Sequence, residues 1–84
     1  MEWRIVPHKY IFYELVGPSK SGKTFVWEVL SRQHGFRLGV IRWFGRWHQY
    51  VFFPDAVTIY SSDCMTDIAD VCRTLNEEAR KRTA

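Results

Sequence analysis

Two cysteines and three prolines are all the chain holds of either residue in 84 positions, and the shortage of cysteine removes a whole class of small protein. Cys64 and Cys72 stand eight residues apart in a segment with helical periodicity. That is about 12 Å of helical rise, beyond the ~7 Å Cα separation that a disulfide tolerates. A disulfide scaffold is therefore excluded, and both thiols are expected as small buried hydrophobes in a reducing compartment. His8, His34 and His48 are scattered, so nothing has metal-ligand spacing, and neither a metal nor a cofactor is expected. No run approaches the ~20 apolar residues that span a bilayer. Met1–Arg4 leads into a mixed polar segment rather than the apolar stretch of a secretory leader. We therefore expect a cytoplasmic protein with no membrane association. Repeats, linkers and low-complexity tracts are also missing, and the length leaves room for one domain spanning 1–84.

What the chain has in quantity is aromatic surface. Six Phe, four Tyr and four Trp make up 17% of it. A domain this short buries little more than ~60% of its unfolded surface, so large rings, each removing ~150–250 Å² from water, must supply much of the core. Net charge is +3, and it is unevenly spread. Residues 1–56 hold eight Lys/Arg against four Asp/Glu, whereas residues 57–84 hold four against five. The positive excess falls on the β-rich part.

Runs of β-branched and aromatic residues bounded by Gly, Pro and Asp predict strands over 10–16, 24–31, 36–44, 47–53 and, short, 57–60. Turn signals every ~10–12 residues favour an antiparallel meander. The period then changes. Met65, Ile68, Cys72, Leu75 and Ala79, widened by Ala69 and Val71, form one apolar stripe and predict a helix over 62–80. Ser61 or Ser62 is placed to cap it, with Asp63, Asp67 and Asp70 early and Arg80, Lys81 and Arg82 late, as the helix dipole favours. The expected fold class is α+β: an antiparallel β-meander of 3–5 strands packed on one C-terminal amphipathic α-helix. Residues 80–84 are expected to fray, and Trp27 and Phe53 are expected in the core.

Gly17-Pro-Ser-Lys-Ser-Gly22-Lys23-Thr24 fits the phosphate-binding string G-x-x-x-x-G-K-[ST] at every defined position. That chemistry needs a helix starting at the Lys-Thr, so that its N-terminus faces the phosphates. Here Phe25-Val-Trp-Glu-Val-Leu30 follows, a run with poor helix propensity. No apolar strand ending in a metal-holding Asp comes after it. The string is expected as a hairpin loop, no nucleotide is expected as cofactor, and no enzyme is expected. Lys20 and Lys23 remain candidates for contacts to a polyanion's phosphates. Asp63, Asp67 and Asp70 have no catalytic partner in the pattern and read as a solvated helix face.

The second candidate is Arg42-Trp-Phe-Gly-Arg-Trp-His-Gln-Tyr50. Basic residues interleaved with rings suit nucleic acid, where rings stack on bases and guanidinium groups pair with phosphates. Arg37, Arg42, Trp43, Arg46, Trp47 and His48, with Lys20 and Lys23, form the expected contact set. Cross-strand aromatic pairs also stabilise small sheets by themselves, so Trp43 and Trp47 are open between core and surface.

The order of strands followed by one helix, over about Phe25 to Glu78, resembles the sheet-plus-helix DNA-binding domains of the AP2 and phage-integrase arm-binding type. That resemblance implies a sheet face in the major groove with Arg37, Arg42, Trp43, Arg46 and Trp47 towards DNA; the strand at 10–16 departs from it. The run Leu38-Gly-Val-Ile-Arg-Trp-Phe-Gly-Arg-Trp-His-Gln-Tyr-Val-Phe-Phe-Pro54 is similar to small uncharacterised phage, prophage and plasmid proteins, which implies a mobile-element origin. Two functions are carried forward. One is a non-enzymatic module binding DNA or RNA. The other is a protein-interaction module, an inhibitor, adaptor or homodimer, using an exposed aromatic face or strand edge.

Overall fold

The computed structural model describes residues 10–83, with side chains from 10 to 81. The expectations concerning Met1–Arg4, His8, the Arg82 side chain and Ala84 lie outside that range. Strands β1 (Ile11–Pro18), β2 (Phe25–Ser31), β3 (Arg37–Phe44) and β4 (Gln49–Pro54) precede helix α1 (Ser62–Thr83). The four strands pair antiparallel in chain order, so the expected α+β meander backed by one helix is what the chain forms.

Alternation along the strands decides which side is covered. Ile11, Tyr13, Trp27, Val29, Ile41 and Tyr50 are buried on one face, where Tyr13 pairs with Val29 and Trp27 with Ile41. Onto them α1 lowers Ile68, Val71 and Leu75, with Cys64, Cys72 and Ala79 packed alongside. Each large aliphatic buried in this way contributes roughly 1.5–3 kcal/mol. Rings lock the layer further: Tyr13 meets Trp27 edge-on at 5.6 Å, and Trp43 meets Tyr50 at 5.4 Å.

One residue escapes simple alternation. Val29 pairs with Gly39 but Leu30 pairs with Arg37, so Leu38 is an extra residue on β3. This bulge turns Leu38 into the core, where it is 2% exposed. Its carbonyl accepts hydrogen bonds from the Asp55 N–H at 2.9 Å and the Tyr60 hydroxyl at 2.8 Å.

Two polar side chains set the helix diagonally across the sheet. Asp67 accepts the Tyr10 N–H at 3.0 Å, beside the start of β1. Asn76 accepts the Tyr50 N–H at 2.6 Å and donates to the Tyr50 carbonyl at 3.4 Å, near the start of β4. Ser61 caps α1, its hydroxyl accepting the Cys64 N–H at 3.1 Å. The Asn76 clasp also occupies the outer edge of β4 at Tyr50, and Pro54 offers no N–H there, so this edge is poorly suited to a further strand.

Three expectations are corrected. Residues 57–60 are not a strand: Val57 adopts φ 60°, which interrupts an extended run, and Thr58 turns back to the Asp55 carbonyl at 2.9 Å. The segment is held by side-chain hydrogen bonds to the bulge instead of by a ladder. Phe53 is not in the core, because it pairs with Val40 and so faces the side opposite α1, half-buried under Arg42. Met65 is 53% exposed. The apolar seam of α1 runs through Cys64, Ile68, Val71 and Leu75, rotated from the stripe that included Met65.

Candidate functional site

In a four-stranded meander, alternate turns share an end. The β1–β2 loop and the β3–β4 loop therefore lie together, and the diagonal of α1 brings its C-terminal half to the same place. Lys20 and Lys23 come from the first loop, Arg46, Trp47 and His48 from the second, and Arg80 and Lys81 from the helix. Seven of the eight expected contact residues gather at this end.

The Gly17–Thr24 string is a hairpin loop closed on itself. The Ser19 N–H donates to the Thr24 carbonyl at 2.8 Å and the Gly22 N–H to the Ser19 carbonyl at 2.9 Å, with Gly22 at φ 75°, which favours glycine. The Thr24 hydroxyl donates to Ser19 Oγ at 2.8 Å, Ser19 and Ser21 hydroxyls lie 3.0 Å apart, and Ser21 Oγ accepts the Lys23 N–H at 3.3 Å. Thr24 leads directly into β2 rather than into a helix. The helix N-terminus on which a phosphate-binding string of this pattern relies therefore does not follow Thr24. Lys20 and Lys23 are exposed at its tip.

The β3–β4 loop turns through Gly45–His48. The Trp47 N–H donates to the Phe44 carbonyl at 3.1 Å and the His48 N–H to the Gly45 carbonyl at 3.2 Å. His48 takes φ 53°, a left-handed position that His tolerates better than most residues. Trp47 is thrust outward, 62% exposed, and held at one side by Phe44, whose ring lies nearly perpendicular at 4.9 Å. Trp43 differs: it lies on the covered side, half-buried against Tyr50. Of the two rings left open by the sequence, one is surface and the other lies at the margin of the core.

Trp43 is also a partition. On one side of it opens a cleft of about 450 Å³ bordered by Ser19, Lys20, Ser21, Thr24 and Arg42. On the other lies a second cleft of about 450 Å³, bordered by Trp47, His48, Gln49, Asn76 and Arg80. Arg42 itself is on the open sheet face, its guanidinium 4.0 Å from the Phe53 ring centroid. The pairing leaves its charge available while fixing the stem.

Arg37 does not join this group. It starts β3 at the opposite end, where it makes a two-pronged ion pair with Asp55 at 2.8 and 2.9 Å and lies 3.8 Å from Glu28. The Asp55 contact raises the Arg37 pKa further, and the same hydrogen bond holds the Asp55 carboxyl below the usual range. The open face of the sheet is also less suited to DNA than expected. Phe12, Val26, Leu30, Val40, Val51 and Phe53 dominate it, and Glu14 sits directly across from Glu28. Two adjacent carboxylates in mid-face oppose a phosphate backbone.

Sequence reasoning missed Gln49, Asn76 and Arg80. Arg80 was visible only as part of the basic helix end, and nothing in the pattern said that this end meets the β3–β4 loop. Among the described residues no cluster of His, Cys, Asp or Glu is arranged to hold a metal ion. No helix among them is long and apolar enough to cross a membrane.

Compared with known proteins, the chain is 30% identical over 70 residues to an uncharacterized 9.3 kDa protein of Acholeplasma phage L2, covering 83% of this chain and 87% of the relative. No family model matches the chain, and no solved structure matches it significantly. The AP2-like order of elements is met by β2, β3, β4 and α1 with β1 added, and stands on that order alone.

Proposed function

The chain belongs to the same family as the phage L2 9.3 kDa protein, and from that premise we propose that it is a non-enzymatic nucleic-acid-binding module of mobile-element origin, working in the cytoplasm on DNA or RNA. The observation that carries this reading is the exposed Trp47 ring flanked by Arg46 and His48, on a loop that shares one end of the domain with Lys20, Lys23 and Arg42. An exposed tryptophan ring beside several cations matches the stack-and-neutralise chemistry of nucleic-acid surfaces. The contact surface is the loop end, not the sheet face.

Binding should be strongly salt-dependent. Each phosphate-contacting cation contributes about 0.7 to 0.9 to the slope of log affinity against log salt. Arg42→Ala and Arg46→Ala should each weaken binding and flatten that slope by about one contact. Arg37→Ala should leave it unchanged, because that guanidinium is committed to Asp55. Fluorescence anisotropy with labelled duplex and single-stranded oligonucleotides in a salt series measures all three. Absence of binding at low salt overturns the proposal.

A second reading, a protein partner or self-association, is favoured by the half-exposed apolar row Phe12, Leu30, Val40, Val51 and Phe53 on the open face. Sedimentation velocity of the chain alone separates the two, since a stable dimer unaffected by salt favours this reading.

A further inference from the structure

The two clefts beside Trp43 differ in chemistry in a way that a plain cationic patch does not require. The first sets two cations and three hydroxyls beside the apolar side chains of Val26 and Trp43. Those hydroxyls carry three hydrogens but make only two bonds among themselves, Thr24 to Ser19 and Ser19 with Ser21. One O–H is left over from these bonds, in a cleft that Lys20 and Arg42 also border. This is the equipment for a phosphate oxygen. The second cleft presents an exposed indole and an imidazole beside Asn76, whose own amide is engaged by Tyr50, with Arg80 and Ala79 of α1 completing its border. This is the equipment for a flat heteroaromatic group with polar edges. Each cleft, at about 450 Å³, falls within the range of small-molecule sites.

We propose that this end of the domain holds one unpaired nucleotide unit, with its phosphate on the Lys20–Arg42 side of Trp43 and its base on the Trp47–His48 side. The inference rests on reading the loop end as a nucleic-acid surface, and it narrows that reading to single strands. A base within a duplex has both faces stacked and its pairing edge occupied, so it cannot enter the second cleft without being extruded. A base in a single strand enters freely. Trp47 supplies the stacking face, and its perpendicular packing on Phe44 keeps the ring from collapsing into the cleft when empty. The same chemistry serves a residue of a polymer or a free nucleotide, and the sources are separable.

The test uses the whole chain and four probes: a labelled oligothymidylate, an abasic strand of equal length, a duplex, and a thymidine mononucleotide. Anisotropy and tryptophan fluorescence report on each. The expected result is that oligothymidylate binds about tenfold or more tighter than the abasic strand, with quenching of tryptophan emission. Trp47→Ala, in an exposed turn, should abolish this difference while leaving the abasic strand's affinity unchanged. Lys20→Ala should weaken both strands alike. If the mononucleotide binds as tightly as the strand and Trp47→Ala abolishes it, the site stands with a free nucleotide as its ligand. If the abasic strand or the duplex binds as well as oligothymidylate, the base cleft is overturned while the nucleic-acid reading survives. If no polymer and no mononucleotide binds, both fall.

Discussion

Replacing Gly39 by alanine should be among the most damaging single changes available to this fold, although it adds only one methyl group. Gly39 lies in β3 opposite Pro54, on the face covered by the helix side of the core. A Cβ there would collide with the Phe53 carbonyl oxygen and stand 2.8 and 2.9 Å from two atoms of the Phe52 ring. The ring has little freedom to yield, because it packs edge-on against Tyr60 at 5.8 Å. The carbonyl belongs to the backbone of β4 and yields only if the strand moves. Overpacking of this kind costs about 1–3 kcal/mol, and with both ring and backbone obstructing, the upper end of ~3 kcal/mol applies. At roughly 4–8 °C per kcal/mol for a domain of this size, the Tm should fall by about 12–24 °C. Circular-dichroism melting and urea denaturation measure it, with an unchanged m-value expected if only the native state is affected. Gly45→Ala is the control: nothing lies within 4 Å of a Cβ there, and the change should stay within about 0.5 kcal/mol. A Gly39→Ala protein melting within about 3 °C of the parent would refute the steric argument and with it the close apposition of β3 and β4.

Asn76→Ala should cost roughly 1–3 kcal/mol in urea denaturation, since it strips the Tyr50 N–H and carbonyl of their partner at a half-buried junction; a change below about 0.5 kcal/mol would show that the clasp is ornamental. Asp55 has a folded pKa below its unfolded one, so its pairing with Arg37 adds stability above the unfolded pKa of about 3.9 and loses it as pH falls through the folded pKa. Asp55→Asn should therefore lower the Tm at neutral pH and flatten its fall as pH drops below about 4; an identical acid profile in both proteins would contradict this. Burial pushes the Cys72 thiol up to about 11 and raises Cys64 as well, the latter aided by Asp67. At pH 8 iodoacetamide should label Cys64 first and Cys72 only slowly, as peptide mass mapping would reveal; equal rates would mean that α1 does not shield Cys72.

Much of the architecture was legible because local signals agreed with one another. Gly17-Pro18, Gly35, Gly45 and Pro54-Asp55 punctuated β-rich runs, and the observed strands fall within about two residues of those limits. The helix was legible from its period, with Ser61 acting as cap. The failures have definite causes. Residues 57–60 have strand composition, but Val57 takes a left-handed backbone and the Asn76 clasp occupies the adjoining edge, and neither is a compositional property. Phe53 is as apolar as Phe52, yet strand parity sends one to the open face and the other to the core side. Met65 fits the helical period as well as Cys64 does, and only the angle at which α1 meets the sheet chose between them.

For the candidate site the division is sharper. Residue types are readable along the chain: cations interleaved with tryptophans in 42–48, two lysines on a polar loop, and a Thr24 followed by residues unfit to start a helix. Residue type and nearest-neighbour preference act over a few positions, so composition and spacing carry them. The folded arrangement commits Arg37 to Asp55 eighteen residues away, while it brings Lys20, Arg42 and His48 to one end of the domain. It also placed Trp43 as a wall between two clefts and brought the end of α1 to one of them. Those outcomes depend on strand register and on the diagonal set by Asp67 and Asn76, which are properties of contacts between distant segments and have no local trace in the chain.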